Sequence, residues 1–301
     1  MNPRHPVYVV SKGRAKSHLT SRELARIGVP HFVVVEAAEA EDYLAALPPL
    51  ATVLILDPQY QLDYDACDEL GMTKSKGPGP ARNFVWDHAI ASGATWHWVM
   101  DDNITDFYRL NRNKKVRPAD GAMFAAMEDF CERYCNVGMA GPAYEFFTPH
   151  RQTSPPFVIN TRIYSCNLIR NDIPFRWRGR YNEDTDLSLR MLKTGWATIQ
   201  FYAFLQHKMA TQRMGGGNTE AFYRKEGTEP KSRMLVELHP DVARLDKRWG
   251  RWHHFVDYAP FRKLKLIKRE NLPPAEHPDQ YGMKFQMREG KGRAWHDAEM
   301  P

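Results

Sequence analysis

The sequence predicts an α/β fold, a mostly parallel Rossmann-like sheet flanked by helices, on three observations. Short apolar runs alternate with helix-like stretches through the first hundred residues, the pattern of a parallel sheet. The run Trp96-His97-Trp98-Val99-Met100 ends abruptly in Asp101-Asp102-Asn103. That reads as a buried strand carrying oxygen ligands to its C-terminal edge, where ligands bind in open α/β sheets. A second acidic packet, Asn182-Glu183-Asp184-Thr185-Asp186, lies about eighty residues on and opens a helix-like segment.

The elements follow in order. Val7-Tyr8-Val9-Val10 is a buried first strand, followed by the turn Ser11-Lys12-Gly13-Arg14. Thr20-Ser21-Arg22-Glu23 has capping-box spacing for a short helix ending at Gly28. His31 to Glu36 is a second strand, Glu39 to Leu47 a helix stopped by Pro48-Pro49, and Thr52 to Asp57 a third strand. The Gly/Pro/Lys loop Lys74 to Pro80 leads into a helix opened by Ala81-Arg82-Asn83 and ended by Gly93. The central strand Thr95 to Met100 follows, then a basic stretch from Arg109 to Arg117. Met123, Phe124, Met127, Phe130 and Tyr134 stand at helical spacing, a core stripe of a helix over 119–134. Short strands are expected at 137–141 and 157–160 and a longer one over 162–170. A helix over 183–193 and a strand over 197–205 come next. Gly215-Gly216-Gly217 reads as a loop. Met234, Leu235, Leu238, Val242 and Leu245 continue as a helix. The predicted organisation is a main domain over 1–230 and a helical, basic C-terminal extension and tail over 231–301.

Composition narrows the class. In 301 residues, 43% are hydrophobic, enough for a large core, and no run of eighteen apolar residues is long enough to span a membrane. The first strand begins too early to leave room for a signal peptide. Four cysteines make no disulfide framework, and Cys131 with Cys135 lacks partners at metal-ligand spacing, so buried or inert thiols in a reducing cytosol are expected. The net charge of +6 leans toward a polyanionic partner. Twelve per cent aromatic residues, eight of them Trp, exceed what a core needs and suit stacking on sugars or bases.

The two acid packets carry the chemistry. Dense oxygen ligands suit Mg²⁺ or Mn²⁺, ions that usually hold substrate phosphates as well. The competing reading is a strand-to-loop turn, which Asp and Asn favour. At a helix N-terminus carboxylates are stabilised by the dipole, so Glu183, Asp184 and Asp186 have a capping reading too. Three are more than capping needs, and one held there can accept a proton from a hydroxyl. Ser11-Lys12-Gly13-Arg14 stands at the edge where a nucleotide lies over a Rossmann-type sheet. Arg82 suits a phosphate or an ordinary ion pair equally on spacing. His207, after an apolar strand, is a structural histidine or a further metal ligand.

Together these residues resemble the nucleotide-sugar glycosyltransferases of the GT-A fold: acid packet, Ala-Arg-Asn helix start, then Glu-Asp-x-Asp-Leu-x-Leu-Arg and a glycine. Val-Ser-Lys-Gly-Arg-Ala after the first strand, Asp-Asp-Asn-Ile, Asn-Glu-Asp-Thr-Asp-Leu and Trp-Gly-Arg-Trp-His-His are similar to the TET-associated glycosyltransferases, over roughly residues 6 to 269. The resemblance implies transfer of a sugar from a nucleotide sugar, with uridine diphosphate favoured, to the hydroxymethyl group of 5-hydroxymethylcytosine in DNA; one carboxylate near the acceptor is sufficient for an inverting displacement, and a retaining route is the alternative. It implies a bacteriophage setting within host cytoplasm. It places Asp101 and Asn103 at the metal and ribose, completed by His207, with Asp102 beside the donor sugar. Ser11, Lys12, Gly13, Arg14 and Arg82 fall on the nucleotide side. Asp184 takes the general base position, with Glu183 and Asp186 orienting it or binding hydroxyls.

Basic runs 109–117 and 262–269, interleaved with Tyr108, Trp249, Trp252 and Phe261, suit DNA phosphates or solvated faces. Other readings keep the enzyme with a glycan, protein or small-molecule acceptor, or make the chain a non-catalytic nucleic-acid-binding protein on a transferase fold. A two-metal nuclease is a weaker option.

Overall fold

In the computed structural model, β1 (Val7–Val10), β2 (His31–Val35), β3 (Ala51–Ile55) and β4 (Trp96–Asp101) run parallel in the order β3-β2-β1-β4. Helices α1 (Leu19–Arg26), α2 (Ala40–Ala46), α3 (Gln59–Asp63) and α4 (Gly79–Ala91) fill the connections. The structure describes residues 1–111, 113–149, 154–209, 229–248 and 250–270. The sheet continues with β5 (Ile104–Asn111), β6 (Lys114–Val116), β7 (Val137–Tyr144), β8 (Phe157–Ile159), β9 (Cys166–Arg170) and β10 (Ala197–Lys208), with α5 (Ala122–Glu132) and α6 (Glu183–Lys193) between them. Beyond β4 the order is β9-β7-β10-β5-β6, with β8 also on β10. Here the sheet is mixed: β9 is antiparallel to β4 and β7, while β7 and β10 are parallel.

Strand alternation divides the core into two layers. Trp96, Trp98 and Met100 of β4 join Leu24 of α1 and Phe124 of α5 on one face. Val99 joins Val85 and Trp86 of α4 and Leu187 and Met191 of α6 on the other. The predicted α/β class is observed, and the helix at Glu183–Lys193 has its expected bounds. Among the described residues no helix is long and apolar enough to cross a membrane. The cysteines are free, with Cys131 buried.

Three expectations are corrected. The helix predicted through Leu245 stops at Leu238, where α7 (Glu229–Leu238) ends, and β11 (Ala243–Arg248) pairs with β12 (Arg251–Val256) as an antiparallel hairpin. Pro240 accounts for the break, because it supplies no N–H to a helix and disfavours helical backbone at His239. The strand expected over 162–170 begins only at Cys166, as β9, and the basic stretch after Tyr108 forms the end of β5, which lies between β10 and β6, and the edge strand β6. The capping box of Thr20 and Glu23 is not used, since the helix begins at Leu19. Thr20 Oγ1 instead donates to the Asp101 carbonyl (2.6 Å) and accepts from the Ile104 N–H (2.8 Å), bracing the acid packet from below. The C-terminal segment packs on α6: Leu235, Val242 and Phe261 bury Leu189 and Leu192. Gly215-Gly216-Gly217, Trp249 and the tail from 271 lie outside the described residues.

Candidate active site

A cavity of about 760 Å³ opens at the C-terminal ends of β1, β2 and β4, as the parallel sheet requires. The turn after β1, the 74–82 loop, residues 162–165, the start of α6 and Lys208 at the end of β10 also line it. The two acid packets meet here through Arg82. Its Nη2 donates to Asp101 Oδ1 and its Nη1 to Glu183 Oε1, each at 2.8 Å. The guanidinium also lies over the Trp177 ring at 4.6 Å. It is 2% exposed, so its charge is compensated within the protein.

Local sequence explains the placement. Arg82 sits in the first turn of α4, and Gly79 opens that helix directly against Tyr64. A Cβ at residue 79 would fall 1.9 Å from the Tyr64 hydroxyl, which donates to the Gly179 carbonyl at 2.8 Å. Gly79→Ala is therefore expected to destabilise the fold by about 1–3 kcal/mol, the usual cost of overpacking. Urea unfolding measures it, and a midpoint equal to wild type would refute the close contact. On the other side, Asn182 adopts φ 54° before α6, and its Nδ2 donates to the Lys231 carbonyl (2.6 Å). This turn aims Glu183 and Asp184 into the cavity while Asp186 falls behind.

The electrostatics follow from that packing. Burial pushes Asp101 up, but Arg82 and Lys208 outweigh it and hold the carboxyl below its usual range. Burial dominates at Glu183. With the Asp184 charge adding to it, Glu183 rises to about 7 despite Arg82. Burial likewise raises Asp102, although Arg14 and Ser11 oppose it. Because its folded-state value is raised, Glu183 binds its proton more tightly folded than unfolded. Wild-type stability contributed by this group thus falls as pH rises from about 4.5 to about 7, and is constant above. Glu183→Gln is expected to flatten the Tm profile in that window, measured by thermal unfolding across pH. An unchanged slope would contradict the burial of this carboxyl.

Each predicted residue has a place. Ser11, Lys12, Arg14, Arg82, Asp101, Asp102, Asn103, Glu183 and Asp184 line the cavity. Asp102 is fully engaged, ion-paired with Arg14 and accepting from Ser11 Oγ at 2.7 Å, so it anchors the turn after β1. Lys12 pairs with Glu36 at 2.5 Å. Gly13 does not line the cavity, and its N–H donates to the Glu39 carboxylate. Asp184 reaches the cavity with no ion pair among the described residues, and its Oδ1 accepts the Thr185 N–H at 3.1 Å.

Asp186 is a correction. It is fully buried behind the cavity, where Arg190 Nε (2.7 Å), His239 Nε2 (2.9 Å) and Arg178 surround it. Its place on the far side of α6 makes it the anchor of that helix rather than a catalytic group. Of the predicted metal set, Asp101 and Asn103 line the cavity and His207 does not. Asn103 Nδ2 donates to the Met209 carbonyl at 2.8 Å, and its Oδ1 is buried without a hydrogen-bond partner among the described residues. His207 does not line the cavity, and its Nδ1 lies 3.1 Å from Glu145 Oε2. Asp101 faces Arg82 and Lys208. Among the described residues no three His, Cys, Asp or Glu side chains form a group able to hold a metal. Of the predicted donor set only Asp101 offers a carboxylate to the cavity, so the set does not close an ion site by itself.

The cavity also contains residues that sequence reasoning passed over: Arg162, Tyr164, Ser165, Arg180, Lys208 and Lys231. Ser165 reaches Asp101 because β9 pairs antiparallel with β4, putting Cys166 opposite Met100. Only the basic, polar flank of the strand at 162–165 hinted at it.

The model of the TET-associated glycosyltransferase family matches residues 5–217, which contain both acid packets, Arg82 and Lys208. No curated protein matches the chain. With more than half of its length matched, and the matched part building this cavity, the chain belongs to the TET-associated glycosyltransferase family.

Proposed function

We propose that the enzyme transfers a sugar from a nucleotide sugar, uridine diphosphate being the favoured carrier, to the hydroxymethyl group of 5-hydroxymethylcytosine in DNA, with inversion. The observation that carries the reading is the convergence of the two acid packets on one cavity at the C-terminal sheet edge, bridged by Arg82. The nucleotide lies over the turn Ser11 to Arg14, and its diphosphate extends toward Arg82 and Lys208. Asp184, at the cavity surface, accepts the proton of the acceptor hydroxyl. The acceptor oxygen then forms its bond to the anomeric carbon. The bond from that carbon to the β-phosphate oxygen breaks, and its electron pair leaves with the nucleoside diphosphate. One carboxylate beside the acceptor suffices for this inverting displacement.

The cations nearest the cavity suit a polyanionic acceptor better than the basic runs do. Residues 265–269 bond along Arg133 to Asn136, at the start of β7 and the opposite end of the sheet from the cavity. In the other run, Lys115 pairs with Glu145 and Arg117 with Asp106 and Glu23. Phe261 is buried, whereas Trp252 on the C-terminal hairpin is exposed. Lys74 and Lys231 line the cavity itself. A duplex base would have to flip out to reach Asp184.

The test is mass spectrometry of nucleosides from hydroxymethylcytosine DNA incubated with the enzyme and a panel of sugar nucleotides. A hexose-sized mass gain on hydroxymethylcytosine is expected. Donor hydrolysis without any gain on DNA would move the acceptor to a glycan, protein or small molecule.

A further inference from the structure

We infer that the diphosphate of the donor is held, and the charge it gains on leaving is offset, by the fixed side-chain cations Lys208 and Arg162 in the role a divalent ion would serve. This rests on the nucleotide-sugar reading of the cavity and specifies how that site handles charge. Lys208 Nζ donates to Ser165 Oγ at 2.5 Å and lies 3.7 Å from Asp101 Oδ2. Lys208 thus stands beside Asp101 in the cavity lining, where an added divalent ion would meet like charge. Arg162 stacks over the Tyr164 ring at 4.7 Å, and Lys208 approaches the same ring at 5.7 Å. Two cations therefore flank one aromatic wall of the cavity. Among the described residues no carboxylate pairs with Arg162.

The charge balance of the lining points the same way. Nine basic side chains line the cavity against five acidic ones. Asp101, Asp102, Glu183 and Glu36 already have basic partners in Arg82, Arg14 and Lys12. An incoming diphosphate thus meets surplus positive charge. Ammonium and guanidinium groups form short, charge-assisted bonds to phosphate oxygens. Preorganised in a cavity, they stabilise charge as it develops on a leaving group. The electron pair from the broken sugar–oxygen bond stays on the β-phosphate.

The experiment is calorimetric titration of the full chain with uridine, guanosine and thymidine diphosphates, in EDTA and again in Mn²⁺. At least one nucleotide is expected to bind with affinity equal within about twofold in the two buffers. Lys208→Ala and Arg162→Ala are each expected to weaken it by about tenfold or more, the usual scale for losing a charged hydrogen bond. Lys208→Arg, which preserves the charge, should recover most of the loss and so separates charge from folding. Binding seen only with Mn²⁺, or Lys208→Ala binding as wild type does, overturns this inference and leaves the donor reading intact. No binding in either buffer removes the donor reading, and this inference with it.

Discussion

Arg82→Ala is expected to destabilise the protein by about 3–5 kcal/mol at pH 8, the scale for stripping one partner from a buried ion pair. The guanidinium is the buried link between Asp101 and Glu183, and among the described residues no other cation pairs with Glu183. Its removal leaves two carboxylates facing each other at the cavity wall. The size of the effect should depend on pH in a definite sense. Glu183 has its proton affinity raised to about 7, so near pH 5.5 it is largely neutral in the folded protein and needs no counter-charge. The loss should therefore shrink on acidification. Urea unfolding at pH 5.5 and pH 8 reads both numbers. A loss below about 1 kcal/mol, the level of an exposed pair, would mean that the bridge is solvated. Equal losses at the two pH values would mean that Glu183 is not the partner that matters.

Asp184→Asn is expected to retain the fold and nucleotide binding and to lower transfer by about 10²–10⁴, the range for removing a general base. The amide matches the carboxylate in shape and can still accept the Thr185 N–H, so local structure persists. Single-turnover transfer with saturating donor isolates the chemical step. Glu183→Gln is the informative companion. Its carboxylate is tied to Arg82, so the loss there should include weaker donor binding as Arg82 is released from one of its two anchors. If Asp184→Asn transfers at near wild-type rate while Glu183→Gln is inactive, the base is Glu183 and the roles of the two neighbours exchange.

Much of the fold was legible because it rests on local pattern. The parallel strands β1, β2 and β4 are mostly apolar and almost wholly buried, and the edge strand β3 is apolar in sequence although partly exposed, so each stands out against polar turns. The helix at Glu183–Lys193 was legible for a similar reason: acids at its start, basic residues in its last turn and a glycine two residues beyond its end. The hairpin of β11 and β12 was not, because Val242 and Leu245 keep helical spacing with Leu238 while Pro240 between them breaks the backbone. The edge strand β6 and the end of β5 beside it were hidden by their charges, which a position at the sheet edge tolerates.

The sequence by itself determined the α/β class, the strand that delivers Asp101 and the helix that presents Glu183 and Asp184, since each depends on residues adjacent along the chain. Only the tertiary structure decided which carboxylates are free and which are bound. Asp186 lies one helical turn from Glu183, yet it faces Arg178, Arg190 and His239 instead of the cavity. Asp102 is next to Asp101, yet it is spent on Arg14 and Ser11. Lys208 meets Asp101 only because β10 ends and β9 begins on the edge where β4 ends, through mixed pairing that no local spacing encodes. A charge's chemistry is set by its partners and its access to water. Both are properties of residues brought together from far apart in the chain, so the chemistry of this cavity was settled by packing.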